Sequence, residues 1–151
     1  MINKKKILAI IAARQGSSDL KNKNLRLFNK KPLITWTLKA ACKSKYIDEV
    51  VVSSDSKKIL NIAKKYKVIL SKRPKRLATK NSDIIDTVLY EINRSKNIDI
   101  VILLQPTSPL RTFKDIDQSL KLMMSKSSHS CVSLIKLKYH PQLYFRINEK
   151  K

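Results

Sequence analysis

The residues of this chain best suited to chemistry stand together just past its first apolar run, in Ala12-Ala13-Arg14-Gln15-Gly16-Ser17-Ser18-Asp19-Leu20-Lys21-Asn22-Lys23-Asn24. Arg14, Lys21 and Lys23 bring positive charge, and Ser17 and Ser18 bring hydroxyl donors. Gly16 is the only glycine among 151 residues. A chain of average composition, about 7% glycine, would hold roughly ten at this length. Glycine lets backbone amides approach an anion closely. Together these types suit phosphate. They would also serve in a plain surface loop of a lysine-rich chain.

Two further stretches have similar character. Ser71-Lys72-Arg73-Pro74-Lys75-Arg76-Leu77-Ala78 is basic and follows a short apolar run. Gln105-Pro106-Thr107-Ser108-Pro109-Leu110-Arg111 follows the strongest apolar run. A polar side chain such as Gln105, set between a buried strand and two prolines, needs a reason to be there.

The elements that must position these residues are legible from periodicity. Residues 7 to 12 are continuously apolar, as in a strand buried on both faces. Pro32 can open a helix, and Leu33, Ile34, Thr37, Leu38, Ala41 and Cys42 continue it at helical spacing. Val50 to Ser53 reads as a second strand, with Asp55 or Ser56 capping a helix that carries Ile59, Ile62, Ala63 and Tyr66. Val68 to Leu70 is a third strand. Ser82 opens a helix with Ile85, Val88, Leu89 and Ile92 on one face. Ile98 to Leu104 is the fourth strand. Thr112 and Asp115 form a capping box before Ile116, Leu120 and Met123. Cys131 to Leu137 reads as a last strand.

Strands alternating with helices predict a largely parallel sheet. Parallel strands place all their carboxyl ends on one edge, where open α/β sheets bind ligands. The loops carrying Arg14, Asp55 and Gln105 are therefore expected to meet there.

Bulk composition narrows the classes. A length of 151 residues suits one domain, 1–151, with a real core. No apolar run reaches the roughly 18 residues of a membrane span. The basic start Lys4-Lys5-Lys6 before an apolar run has the outline of a signal peptide, but Arg14 and Gln15 interrupt it without a cleavage site. The reading is a cytoplasmic strand. Cys42 and Cys131 lie in apolar segments and read as buried free thiols. His129 and His140 are too isolated for a metal cluster. The net charge is +22, from 33 Lys and Arg against 11 Asp and Glu. The basic residues are dispersed and few aromatics accompany them, so no stacking platform for nucleic acid is visible. Phosphates should still be attracted non-specifically.

Four segments, in order and suitably spaced, resemble the acylneuraminate cytidylyltransferases (CMP-N-acetylneuraminic acid synthetases). Arg14 to Asn24 resembles their "ARxGSKxxxxKN" element, and Val51 to Asp55 their "VVSSD" strand end. Arg73-Pro74 with Leu77-Ala78 is similar to "RPxxLA", and Gln105 to Arg111 reads "QPTSPLR". The resemblance covers about residues 7 to 141. It implies a Rossmann-like α/β/α sandwich of the nucleotide-diphospho-sugar transferase type. It implies transfer of CMP from CTP to a nine-carbon sugar acid, with release of pyrophosphate. Catalytic roles would fall to Arg14 and Lys23. The nucleotide would be bound by Arg14, Gly16, Ser17, Asn24, Arg73 and Ser82, and the sugar acid by Gln105. Catalysis of this kind is positioning plus charge stabilisation, for which Arg gives bidentate recognition and Lys a point charge.

Three positions depart from the pattern. Ser18 stands where a loop Lys is usual, Asp19 where a small Gly is usual, and Lys80 where an Asp is common. The resemblance also implies Mg²⁺, bound by aspartates of a later region that also carries sugar contacts and a homodimer interface. Those segments have no counterpart in these 151 residues, which resemble a member truncated at its carboxyl end or one part of a split enzyme. Asp115 and Asp117, two apart on a helix, diverge and make a poor metal pair. Asp55 alone is a weak site. A related sugar acid (legionaminic, pseudaminic or 3-deoxy-manno-octulosonic) is an alternative substrate. A non-catalytic nucleotide-binding remnant of the fold is an alternative of another class.

Overall fold

The computed structural model describes residues 4–16 and 20–136. Its central sheet is parallel, in the order β5-β4-β1-β6. These strands are β1 (Ile7–Ala12), β4 (Glu49–Ser54), β5 (Ile69–Lys72) and β6 (Ile100–Leu103). A small antiparallel hairpin, β2 (Leu27–Phe28) and β3 (Lys31–Pro32), stands apart. Its turn is Asn29-Lys30, both at positive φ. The helices are α1 (Leu33–Lys43), α2 (Lys57–Ala63), α3 (Ile84–Ile92) and α4 (Phe113–Ser125).

β1 is central because it is apolar on both faces. Ile7, Ala9 and Ile11 point into one core with Ile34 and Leu38 of α1, Ile59 of α2, and Ile116 and Leu120 of α4. Leu8 and Ile10 point into the other, with Val51 and, from α3, Val88 and Ile92. Each fully buried Ile or Leu contributes roughly 2 kcal/mol. A two-faced strand therefore ties both helical layers to one line. The register pairs Ile10 with both Val51 and Leu103. The ladder continues one step past the strand ends, through Ala13 N–H to the Ser53 carbonyl, Arg73 N–H to Ser54, and Leu104 N–H to Ile10. No helix among the described residues is long and apolar enough to cross a membrane.

Several expectations are corrected. The helix α2 ends at Ala63, before Tyr66. Ser56 is its N-cap residue, without a side-chain capping bond. The cap of α3 is Asp83, whose carboxylate accepts from Ile85 N–H, while Ser82 Oγ donates back to the Thr79 carbonyl. The buried face of α3 includes Thr87 and Glu91, and Ile85 and Leu89 are 54% and 51% exposed. Apolar spacing alone did not reveal that two polar side chains of this helix are wanted inside. Cys42 and Cys131 are exposed free thiols rather than buried ones. Residues 131–136 form no strand, and Val132, Leu134 and Ile135 are 74%, 91% and 83% exposed. The remainder of that expected strand, Leu137, lies outside the described residues. Alternating apolar residues make a strand only where a ladder partner is in reach. The free edge of β6 is not paired with this segment. The Thr112–Asp115 capping box forms as expected.

Candidate functional site

At the carboxyl edge of the sheet, the chain leaves β1 at Ala13-Arg14, β4 at Asp55, β5 at Arg73 and β6 at Leu104-Gln105. The exits of β1, β5 and β6 open onto a cleft of about 320 Å³, which Asp55 does not line. It is lined by Arg14, Lys23, Asn24, Arg73, Ser82 and Gln105, all six of which the sequence pointed to. Gly16 is described but does not line it. A Cβ at Gly16 would meet no atom of the described residues within 4 Å, and its φ is not positive, so packing against those residues does not require glycine there. Ser17, Ser18 and Asp19 lie outside the described residues.

Each lining residue is held by its own element. Asn24 is buried in a short 3₁₀ turn at Lys23–Leu25, and its Nδ2 donates to the Arg14 carbonyl at 3.0 Å. The side chain of one loop end thereby fixes the backbone of the other. Gln15 N–H donates to Asp55 Oδ1 at 2.8 Å, pinning the same loop to the end of β4. The Arg14 guanidinium donates to the Thr79 carbonyl. Ser82 Oγ donates to that carbonyl too, at 2.8 Å. Both residues are thus tied to the segment between β5 and α3.

Arg73 is only 5% exposed. Its Nε donates to Ser53 Oγ at 3.3 Å and its Nη2 to the Ser53 carbonyl at 2.8 Å. Burial pushes its pKa below the ordinary arginine value; Asp55 and Glu91 oppose that shift, and Arg14 adds to it. The guanidinium remains charged at any physiological pH. Glu91 is itself buried, accepting from Ser71 Oγ at 2.8 Å. Gln105 is exposed at the opposite wall, with Oε1 accepting from Thr107 Oγ1 at 3.4 Å.

Sequence reasoning missed Asp83, Thr87 and Thr107, which also line the cleft. Thr87 Oγ1 is buried with no hydrogen-bond partner among the described residues. Its position on a helix that read as apolar concealed it.

The donor set fits an anion better than a cation. No group of three metal-ligating side chains occurs among the described residues. Asp55 is engaged with Gln15, and Asp83 with the start of α3. Asp115 closes the capping box of α4, and Asp117 accepts from Ser44 Oγ at 2.5 Å and from Lys45 N–H. The carboxylates of the described residues do not compose a Mg²⁺ site.

A mostly parallel sheet flanked by helices, with a basic cleft where the strands end, places the chain among the α/β nucleotidyltransferases. Within that class it belongs to the cytidylyltransferase family, whose sequence profile matches residues 8–146. It is 41% identical over 139 residues to the CMP-N,N'-diacetyllegionaminic acid synthase of Legionella pneumophila, covering 88% of this chain and 60% of that protein. It is 35% identical over 127 residues to the N-acylneuraminate cytidylyltransferase of Escherichia coli O18:K1:H7, covering 84% of this chain and 30% of that protein. Among solved structures it is similar to CMP:2-keto-3-deoxy-manno-octonic acid synthetase complexed with CTP. That match has a TM-score of 0.67 at 25% identity, over 82% of this chain and 49% of the other. The chain thus spans 30% and 60% of the length of these two curated relatives.

Proposed function

We propose that this chain carries the CTP-binding half of a reaction that joins CMP to a nine-carbon sugar acid. The observation that carries the reading is the cleft itself. Three cationic side chains, Arg14, Lys23 and Arg73, share about 320 Å³ with the hydroxyl and amide groups of Ser82, Asn24 and Gln105. In such a reaction a sugar hydroxyl oxygen attacks the α-phosphorus of CTP. The new O–P bond forms as the bond to the bridging oxygen of pyrophosphate breaks, and the hydroxyl proton passes to solvent. Charge builds on the leaving pyrophosphate. Arg14 and Lys23 suit that charge because one is tied to the Thr79 carbonyl and the other sits on the Lys23–Leu25 turn, so little reorganisation is needed. Arg73, fixed on Ser53, gives a preset positive field rather than a mobile clamp. Gln105, across the cleft, suits the sugar acid.

The similarity to the legionaminic acid synthase favours a second substrate within the same reaction, an N,N'-diacetylated nine-carbon acid. Calorimetry with CTP, ATP, GTP and UTP tests the nucleotide half, and CTP is expected to bind most tightly. Equal weak binding of all four, abolished by modest salt, would leave only bulk charge acting. Pyrophosphate release with CTP, Mg²⁺ and either N-acetylneuraminic or N,N'-diacetyllegionaminic acid tests the transfer.

A further inference from the structure

Arg111 closes the loop that presents Gln105, yet it does not line the cleft. Its Nη2 donates to the Gln105 carbonyl at 3.1 Å and to Thr37 Oγ1 at 3.3 Å. Thr37 lies on α1 and is buried in the core. One guanidinium nitrogen thus joins the first residue of the loop to a rigid helix. Two backbone bonds tighten the same loop, Ser108 N–H to the Gln105 carbonyl at 3.4 Å and Arg111 N–H to the Ser108 carbonyl at 3.2 Å. The arginine stem is half-buried, and its Nε is buried without a partner among the described residues. Leaving a buried N–H unsatisfied costs about 1–3 kcal/mol. The fold tolerates that cost at a position where the neighbouring nitrogen holds two elements together. A solvated surface arginine would show none of these features.

We propose that Arg111 is a positioning residue. By clasping the Gln105 carbonyl to Thr37 of α1, it sets the place of the Gln105 side chain in the cleft, and so governs the sugar-acid half of the site but not the nucleotide half. Arg14 and Arg73 are held through bonds that do not involve Arg111, and Lys23 stands on the separate Lys23–Leu25 turn. The proposal takes its ligand from the functional reading above, but the clasp can be tested without it.

The variants are Arg111→Met, which keeps an apolar stem and removes the donors, Arg111→Lys, which keeps one charged donor, and Thr37→Val, which removes only the anchoring hydroxyl. Amide hydrogen exchange across residues 105–111 of the ligand-free protein is expected to speed up in Arg111→Met and Thr37→Val, and to recover in part in Arg111→Lys. Affinity for N-acetylneuraminic or N,N'-diacetyllegionaminic acid in the presence of CTP should fall about five- to tenfold in Arg111→Met, the worth of about one misplaced hydrogen bond, with the CTP dissociation constant within about twofold of the parent. Unchanged exchange across 105–111 in a folded Arg111→Met protein overturns the clasp. Equal loss of CTP and sugar acid, with a large fall in melting temperature, overturns it in favour of general packing. A parent that binds neither CTP nor a sugar acid defeats the functional reading while the exchange data still decide the clasp.

Discussion

Arg73 reaches the sheet edge with two of its donors already bonded to Ser53, so its charge enters the cleft as part of the scaffold. Arg14 and Asn24 are fixed by a comparable exchange, the Asn24 amide holding the Arg14 carbonyl. Positioned in this way, few charges are needed, and the sign of each matters. Asp19 and Ser18 stand in the same loop, one a carboxylate and the other a neutral hydroxyl where the sequence pattern has glycine and lysine. Replacing both, Ser18→Lys with Asp19→Gly, is expected to tighten CTP binding. Opposite charges about 4 Å apart at an effective dielectric near 20 attract by roughly 4 kcal/mol before desolvation and ordering are subtracted. A net gain on the order of 1 kcal/mol, several-fold in affinity, is what remains. The measurement is the CTP dissociation constant of the double variant and the parent at fixed salt and Mg²⁺. Unchanged affinity would mean that this loop does not hold phosphate here.

At the scale of the element, α4 follows directly on the Gln105–Arg111 loop, and its start is held by a reciprocal capping box between side chains and backbone. Thr112 Oγ1 accepts from Asp115 N–H, and Asp115 Oδ2 accepts from Thr112 N–H at 2.7 Å and from Thr112 Oγ1 at 2.8 Å. The Thr112 bonds, first the backbone N–H and then the hydroxyl, hold the Asp115 carboxyl below its usual range, and Arg111 adds to that lowering. A carboxylate whose pKa is depressed on folding stabilises above its unfolded pKa. That stabilisation is lost as pH falls through the lower, folded value. Thr112→Ala should cost about 1 kcal/mol near neutral pH, the usual worth of a cap. The gap in melting temperature between Asp115→Asn and the parent should narrow as pH falls below the ordinary aspartate range. A gap that is constant down to strongly acidic pH would assign the stabilisation to shape rather than charge. The exposed apolar pair Ile85 and Leu89 on α3 shows the converse case. There the element is correct and its orientation is not legible in advance, because Thr87 and Glu91 take the interior.

For the whole molecule the decisive quantity is +22 net charge, spread over loops and helix faces. Such a surface attracts any polyanion, but with a reach of only about 8 Å at physiological salt. Binding to heparin or RNA is expected to be strong at low salt and to fall steeply between about 50 and 200 mM, as counterion release requires. A preference for CTP over ATP should survive the same change, since it depends on a shaped cleft. A CTP preference that vanishes together with polyanion binding would place both on the diffuse surface charge.

The amino-acid sequence carried the four strands of the parallel sheet, the four helices between and after them, and the edge they share, but not the small hairpin of β2 and β3. The elements follow from local causes: a doubly apolar run must be buried on both faces, and a run of parallel strands must end on one side, which puts the loops of Arg14 and Gln105 on one edge. Lys23, Asn24, Arg73 and Ser82 were legible only through the resemblance of their segments to a family pattern. Tertiary structure alone decided the rest. That Asp55 pins the Gln15 backbone, that Arg73 is spoken for by Ser53, and that Arg111 clasps Thr37 are contacts between residues 20 to 74 positions apart. No periodicity encodes them. Likewise, Cys131 to Lys136 has the letters of a strand but lies unpaired, because a strand is a relation between two segments, and one of them alone does not carry it.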